Sequence, residues 1–142
     1  MRKTTYPKIS VVIPVFNESE IINTFHAQLT TVLDAMENEA TLWYVDDGSD
    51  DYTAEVLSHL AERDPRAKVL TLSRNFGHQA ALTCGLDHAD GDVVITMDGD
   101  GQNPPEMIPE MLKLYQSGYD IVVGQRQPGG KTPFFKKISS RS

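Results

Sequence analysis

The chain has one cysteine, Cys84, in 142 residues. That excludes an internal disulfide and makes a reducing compartment its natural home. No apolar run approaches the roughly 18 to 20 residues that cross a bilayer, so the chain as given reads as soluble. The N-terminal MRKTTYPK is basic, but the apolar stretch behind it is broken by Pro14 and has no small-residue cleavage site, which excludes a signal peptide. Basic residues are scarce: 13 Lys and Arg stand against 20 Asp and Glu, for a net charge of −7. A general nucleic-acid binder holds phosphates with clustered Lys and Arg, so that class is excluded too. Internal repeats and low-complexity segments are also lacking. The first apolar run is followed by FNESE, without the glycines that a G-x-G-x-x-G dinucleotide site requires.

Five apolar runs are present: ISVVIPVF, TLWYV, KVLTLS, DVVITM and DIVVGQ. They are continuous rather than alternating, as in strands buried on both faces. Between them lie stripes at helical spacing. Ile21, Ile22, Phe25, Leu29, Val32, Leu33 and Met36 make the first; Val56, Leu57, Leu60 and Ala61 the second; residues 76–89 the third; Met107, Ile108, Met111, Leu112 and Tyr115 the fourth. Strand and helix alternate, which predicts an α/β domain with a mainly parallel sheet and helices on both faces. The length fits one such domain, over residues 1–126. From Gln127 the character changes, with Pro128, Gly129, Gly130 and Pro133 before FFKKISSRS. Residues 127–142 read as a loop leading toward a segment that is absent, with FFKK either the start of an interfacial segment or a solvated tail.

Open parallel sheets bind ligands beyond the carboxyl ends of their strands, and the polar residues fall there. The first strand ends at Pro14 and delivers Asn17 and Glu18; the second delivers Asp46 and Asp47; the third Ser73, Arg74 and Asn75; the fourth Asp98 and Asp100; the fifth Gln125 and Arg126. Ser49 through Thr53 are sufficiently explained as a turn and helix cap. Asp46 and Asp47 are not, because a second acidic residue adds repulsion without adding a cap. NPPE reads as a helix start, with Asn103 as cap and Pro104 at the first helical position. Asp98 and Asp100 then sit in the linker between strand and helix. Two carboxylates one residue apart suit a hard divalent cation, which takes its remaining ligands from water and substrate phosphates.

Among the histidines, His26, His59 and His88 fall in helical stretches and are expected at the surface or half-buried. His78 lies near the ligand edge, where a functional role and a structural one both remain open. Cys84 reads as a small packing residue. A calcium loop starting at Asp98 needs Gly at its sixth position and Glu at its twelfth, where this chain has Asn103 and Pro109. A phosphatase built on an Asp-x-Asp nucleophile carries its motif on the first strand, with Thr or Val where this chain has Gln102.

Taken together, VVIPVFNE, VDDGSDDYT, LSRNFGHQAALTCGL and MDGDGQNPPE resemble the family 2 glycosyltransferases, whose nucleotide-sugar-binding fold is the Rossmann-like GT-A fold. The resemblance runs from about Ile9 to Arg126, and SRNFG with the D-x-D-x-Q-x-P-P-E pattern is most similar to polyprenyl-phosphate sugar transferases. It implies a nucleotide-sugar donor, with UDP-glucose favoured over GDP-mannose, and a polyprenyl phosphate acceptor. By the same resemblance, Asp46 accepts hydrogen bonds from the nucleobase, Pro14, Asn17 and Glu18 wall base and ribose, and Asp47 and Arg74 complete the donor-binding set. Asp98 and Asp100 hold Mg²⁺ or Mn²⁺ against the two phosphates, and Arg126 clamps a phosphate. It further implies inversion at the sugar, and work at the cytoplasmic face of a membrane, reached through C-terminal segments that this chain lacks. A chain without those segments is expected to bind donor and to transfer sugar feebly.

Overall fold

The computed structural model describes residues 6–99, 104–116, 121–126 and 133–138; residues 116, 121–126 and 133–138 are described by backbone alone. Strand β1, Ile9–Val15, is buried at all seven positions, as its unbroken apolar run predicts. It pairs in parallel with β2, Ala40–Asp46, on one side and with β4, Val93–Thr96, on the other. Strand β3, Ala67–Thr71, extends the sheet beyond β2, and β5, Ile121–Arg126, beyond β4. The sheet order is β3-β2-β1-β4-β5-β6. The chain therefore reverses its direction of winding between β1 and β4, the place where open α/β sheets hold their ligands.

Each of the first four strands is followed by a helix, and the helices' apolar faces explain their docking. Helix α1, Ile22–Asp34, buries Ile22, Phe25, Leu29 and Leu33, and α2, Thr53–Arg63, buries Leu57 and Leu60. They meet Val11, Ile13, Leu42 and Tyr44 in one core, joined by Met107, Ile108 and Met111 at the start of α4, Ile108–Gln116. Helix α3, His78–His88, covers the opposite face, where Gly85 lies against Val12 and Val45. Helices on both faces of a mainly parallel sheet are what the alternating pattern predicts.

Pro14 sits in the innermost strand, where a proline ordinarily removes a ladder bond. The register shows why it is tolerated. Val93 N–H donates to Lys8 and Met97 N–H to Val12, so even-numbered residues of β1 face β4, while Val15 accepts from Asp47 on the β2 side. Pairing with β4 ends at Val12↔Thr96. Pro14 faces the gap where that ladder has stopped, and the sheet opens there.

Three expectations need correction. Residues 133–138 are not loop: Pro133–Ile138 forms β6, antiparallel to β5 from Ile121↔Ile138 to Arg126↔Pro133. The prolines and glycines before it conceal the strand, yet proline is harmless at a strand's first residue, and β6 comes last in the sheet order, where lysines are acceptable. Pro104 is extended (ψ 131°) and flanks a 3₁₀ turn at Pro105–Met107, so the first helical proline is Pro105. A residue preceding proline is pushed out of the helical region, which shifts the start by one; Asn103 lies outside the described residues.

His26, expected at the surface or half-buried, is buried at 7% exposure. Its Nδ1 lies 2.6 Å from the Tyr44 hydroxyl and its Nε2 3.1 Å from Asp64 Oδ2. The Asp64 carboxylate only accepts, so Nε2 carries the proton and Nδ1 accepts from the tyrosine. Burial holds the imidazole below its ordinary pKa despite the opposing pull of Asp64. Burial also opposes ionisation of Asp64, but hydrogen bonds from Arg66 outweigh it and keep the carboxyl below its usual range.

Candidate functional site

Where β1 and β4 part, a crevice of about 350 Å³ opens beyond their carboxyl ends. Pro14, Val15 and Phe16 form one wall; Asp98 and Gly99, which follow β4, form the next. The turn before α3 closes it with Asn75, Gly77 and His78, while Asp47 and Glu18 add carboxylates. A Cβ on Gly99 would lie 2.6 Å from Val15 Cγ1, so glycine is needed where the chain leaves β4 against β1.

The loops that make these walls are tied to one another. Asn17 adopts the left-handed conformation (φ 53°), which asparagine accepts more readily than most residues. Its N–H donates to Ser49 Oγ at 2.8 Å, and its Oδ1 accepts from Asp50 N–H at 2.9 Å. Glu18 N–H donates to Thr53 Oγ1 at 2.9 Å, and Ser19 N–H to Asp51 Oδ2 at 3.4 Å. Ser49 through Thr53 do shape a turn, since Asp51 Oδ1 also accepts from Thr53 N–H at 2.8 Å. They hold the loop after β1 as well. Tyr52, the residue flanking α2, makes no side-chain cap.

The two adjacent aspartates divide the work. Asp46 is 1% exposed, does not line the crevice, and accepts from Ser49 N–H at 3.0 Å. Its placement serves the β2–α2 turn and gives no support to the expected contact with a nucleobase. Asp47 reaches the crevice, but its carboxylate is engaged there. Oδ1 accepts from Phe76 N–H at 2.9 Å, and Oδ2 accepts from Gly77 N–H and Asn75 Nδ2, each at 3.0 Å. Gly48 lets the two loops touch, with φ 71° and a notional Cβ only 2.2 Å from the Arg74 carbonyl carbon.

Of the other expected site residues, Pro14, Glu18 and Asp98 line the crevice, whereas Asn17 and Arg74 do not. The Arg74 guanidinium lies over the Phe76 ring, 4.1 Å from its centroid, a cation–π contact. Asp100 lies outside the described residues, and Arg126 ends β5, described by its backbone. Phe16 was not singled out in the sequence, although an exposed aromatic just past a buried strand (42%) is a usable signal. His78, for which the sequence allows a functional or a structural role, lines the crevice with Nε2 3.7 Å from Asp98 Oδ1. His59 and His88 are exposed, and Cys84 is half-buried in α3.

The carboxylates of Glu18, Asp47 and Asp98 around one opening make a hard-oxygen environment, with no sulfur among the described lining residues. That chemistry fits Mg²⁺ or Mn²⁺. Among the described residues, no three His, Cys, Asp or Glu side chains form a metal cluster. No helix among the described residues is long and apolar enough to cross a membrane.

Known proteins share this architecture. A bactoprenol glucosyl transferase of Shigella phage SfV is 42% identical over 119 residues, 84% of this chain and 39% of that protein. The undecaprenyl-phosphate 4-deoxy-4-formamido-L-arabinose transferase of Proteus mirabilis is 41% identical over 135 residues, 94% of this chain and 41% of its own length. The chain thus spans about two fifths of the relatives it matches. Among solved structures, a mannosyltransferase of Pyrobaculum calidifontis in complex with GDP-Man and Mn²⁺ superposes with a TM-score of 0.61 at 26% identity, over 68% of this chain and 28% of that one. TarS of S. aureus in complex with UDP-GlcNAc gives 0.61 at 24% identity, over 78% of this chain and 31% of its own, and shares the fold. The model of glycosyl transferase family 2 matches residues 10–142, and the chain belongs to that family.

Proposed function

We propose that the chain is the donor-binding part of a glycosyltransferase that moves a sugar from a nucleotide sugar, UDP-glucose in the favoured reading, to a polyprenyl phosphate. The observation that carries this is the acidic crevice at the point where the sheet changes direction, with Asp98 just past β4 beside the opening at Pro14. An acidic pocket repels a diphosphate unless a cation lies between them, and Asp98 with Asp100 is the pair that would hold Mg²⁺ or Mn²⁺ there. When bound, the cation supplies positive charge to the departing nucleoside diphosphate. The relatives point the same way: those named above are a bactoprenol transferase and an undecaprenyl-phosphate transferase.

In the reaction the bond from the anomeric carbon to the diphosphate oxygen breaks, and a bond from that carbon to an oxygen of the lipid phosphate forms, with inversion. The acceptor is already an anion, so no strong general base is required. The chain's task is then to place charge and exclude water. Pro14, Phe16 and Glu18 wall the donor, and Arg126, the last residue of β5, is the candidate clamp on a phosphate, since guanidinium pairs with phosphate in a bidentate fork. The lipid acceptor places the whole protein at the cytoplasmic face of a membrane.

The test is transfer of radiolabelled sugar from UDP-glucose to a short-chain polyprenyl phosphate in detergent, with a version extended at its C-terminus run alongside. Labelled lipid from either version supports the proposal, and its absence from both with every donor tried contradicts it.

A further inference from the structure

We infer that His78 contacts the substrate, its imidazole Nε2 donating a hydrogen bond to a phosphate oxygen of the bound nucleoside diphosphate. The inference rests on the donor reading of the crevice and adds a residue to it. Three of the described lining side chains are carboxylates, Glu18, Asp47 and Asp98, and His78 is the one basic group among them. Its Nε2 stands 3.7 Å from Asp98 Oδ1, longer than a hydrogen bond, so the N–H is near that carboxylate without being committed to it. An anion brought to Asp98 by a cation arrives beside this donor.

The backbone that carries His78 is fixed. Asp47 holds the N–H groups of Phe76 and Gly77 and the amide of Asn75, the three residues immediately before it. His78 also opens the eleven-residue helix α3, so the positive end of that helix's dipole faces the same opening. The side chain is more than half exposed, 57%, so its ring is accessible from the crevice. Its partner is a ligand of the crevice, and an acidic wall whose one basic group among the described lining residues is this donor suits a phosphate.

The experiment is calorimetric titration of uridine, UMP and UDP, with the guanosine series alongside, in Mn²⁺ against the wild-type chain, His78→Ala and His78→Gln. Binding of Mn²⁺ alone is followed in each by electron paramagnetic resonance. We expect His78→Ala to weaken the diphosphate by about tenfold or more, as loss of a hydrogen bond to a charged group does. Nucleoside affinity and Mn²⁺ affinity stay unchanged, and His78→Gln, which keeps an N–H donor, recovers part of the loss. Equal diphosphate affinity in wild type and His78→Ala overturns this inference and leaves the donor reading standing. So does an equal loss for nucleoside and diphosphate. A wild-type chain that binds no nucleoside diphosphate overturns both.

Discussion

Asn75 gives its side-chain amide to Asp47 twice, at 3.2 Å to the backbone carbonyl and at 3.0 Å to carboxylate Oδ2. The loop after β3 is thereby fastened to the loop after β2, and both form the wall of one crevice. Asp47→Asn puts an NH₂ among groups that only donate, since Phe76 and Gly77 present N–H to the same carboxylate. We expect it to lower the unfolding free energy by about 2 kcal/mol, read by urea denaturation. A change within about 0.5 kcal/mol, the size of an ordinary surface substitution, contradicts the clamp.

Gly48 makes the same junction sterically tight. Alanine there must adopt φ near 71° and place its Cβ 2.2 Å from a backbone atom of Arg74. The strained conformation and the overlap together should cost about 2 to 3 kcal/mol, seen as a fall in Tm. An unchanged Tm would mean that the two loops are not in contact.

The buried His26 predicts a pH dependence of stability. Its folded pKa lies below the ordinary 6.5 because burial disfavours the charged ring, so the unfolded chain takes up protons more readily. His26's contribution is fully present above 6.5 and is lost as pH falls through the lower folded value. Asp64 is also held below its usual 3.8; its contribution is present above 3.8 and is lost at still lower pH. Thermal melts should therefore decline on acidification from above 6.5, and His26→Gln should flatten that first decline while lowering stability throughout. An equally steep decline in the variant assigns the effect to other groups.

The order of strands and helices was legible because each core strand is a continuous apolar run and each helix has an apolar stripe; Ile22, Phe25, Leu29 and Leu33 bury as their spacing predicts. What escaped reading depends on partners distant in the chain. Nothing near His26 announces Tyr44 and Asp64, 18 and 38 residues on. Asp47 was legible as an unusual aspartate, but its partners stand 28 to 30 residues later, so its role as a clamp between loops was not. Asp46, read from its strand end as a ligand contact, also accepts from Ser49 N–H three residues on. Strand β6 was concealed by its own proline and lysines, which suit a last strand yet imitate a loop.

In the proposed reading the crevice holds a nucleoside diphosphate through a divalent cation at Asp98. Calorimetry of UDP and GDP measures this most directly, in Mn²⁺ and again in excess chelator, on the wild-type chain and on Asp98→Ala. Asp98 is half exposed, so the substitution leaves the fold intact, which a thermal melt confirms. We predict binding in Mn²⁺ that falls by at least about tenfold in chelator and likewise in Asp98→Ala, as removal of a charged partner implies. Equal affinity with and without chelator, or no binding of either nucleotide by the wild-type chain, contradicts the account.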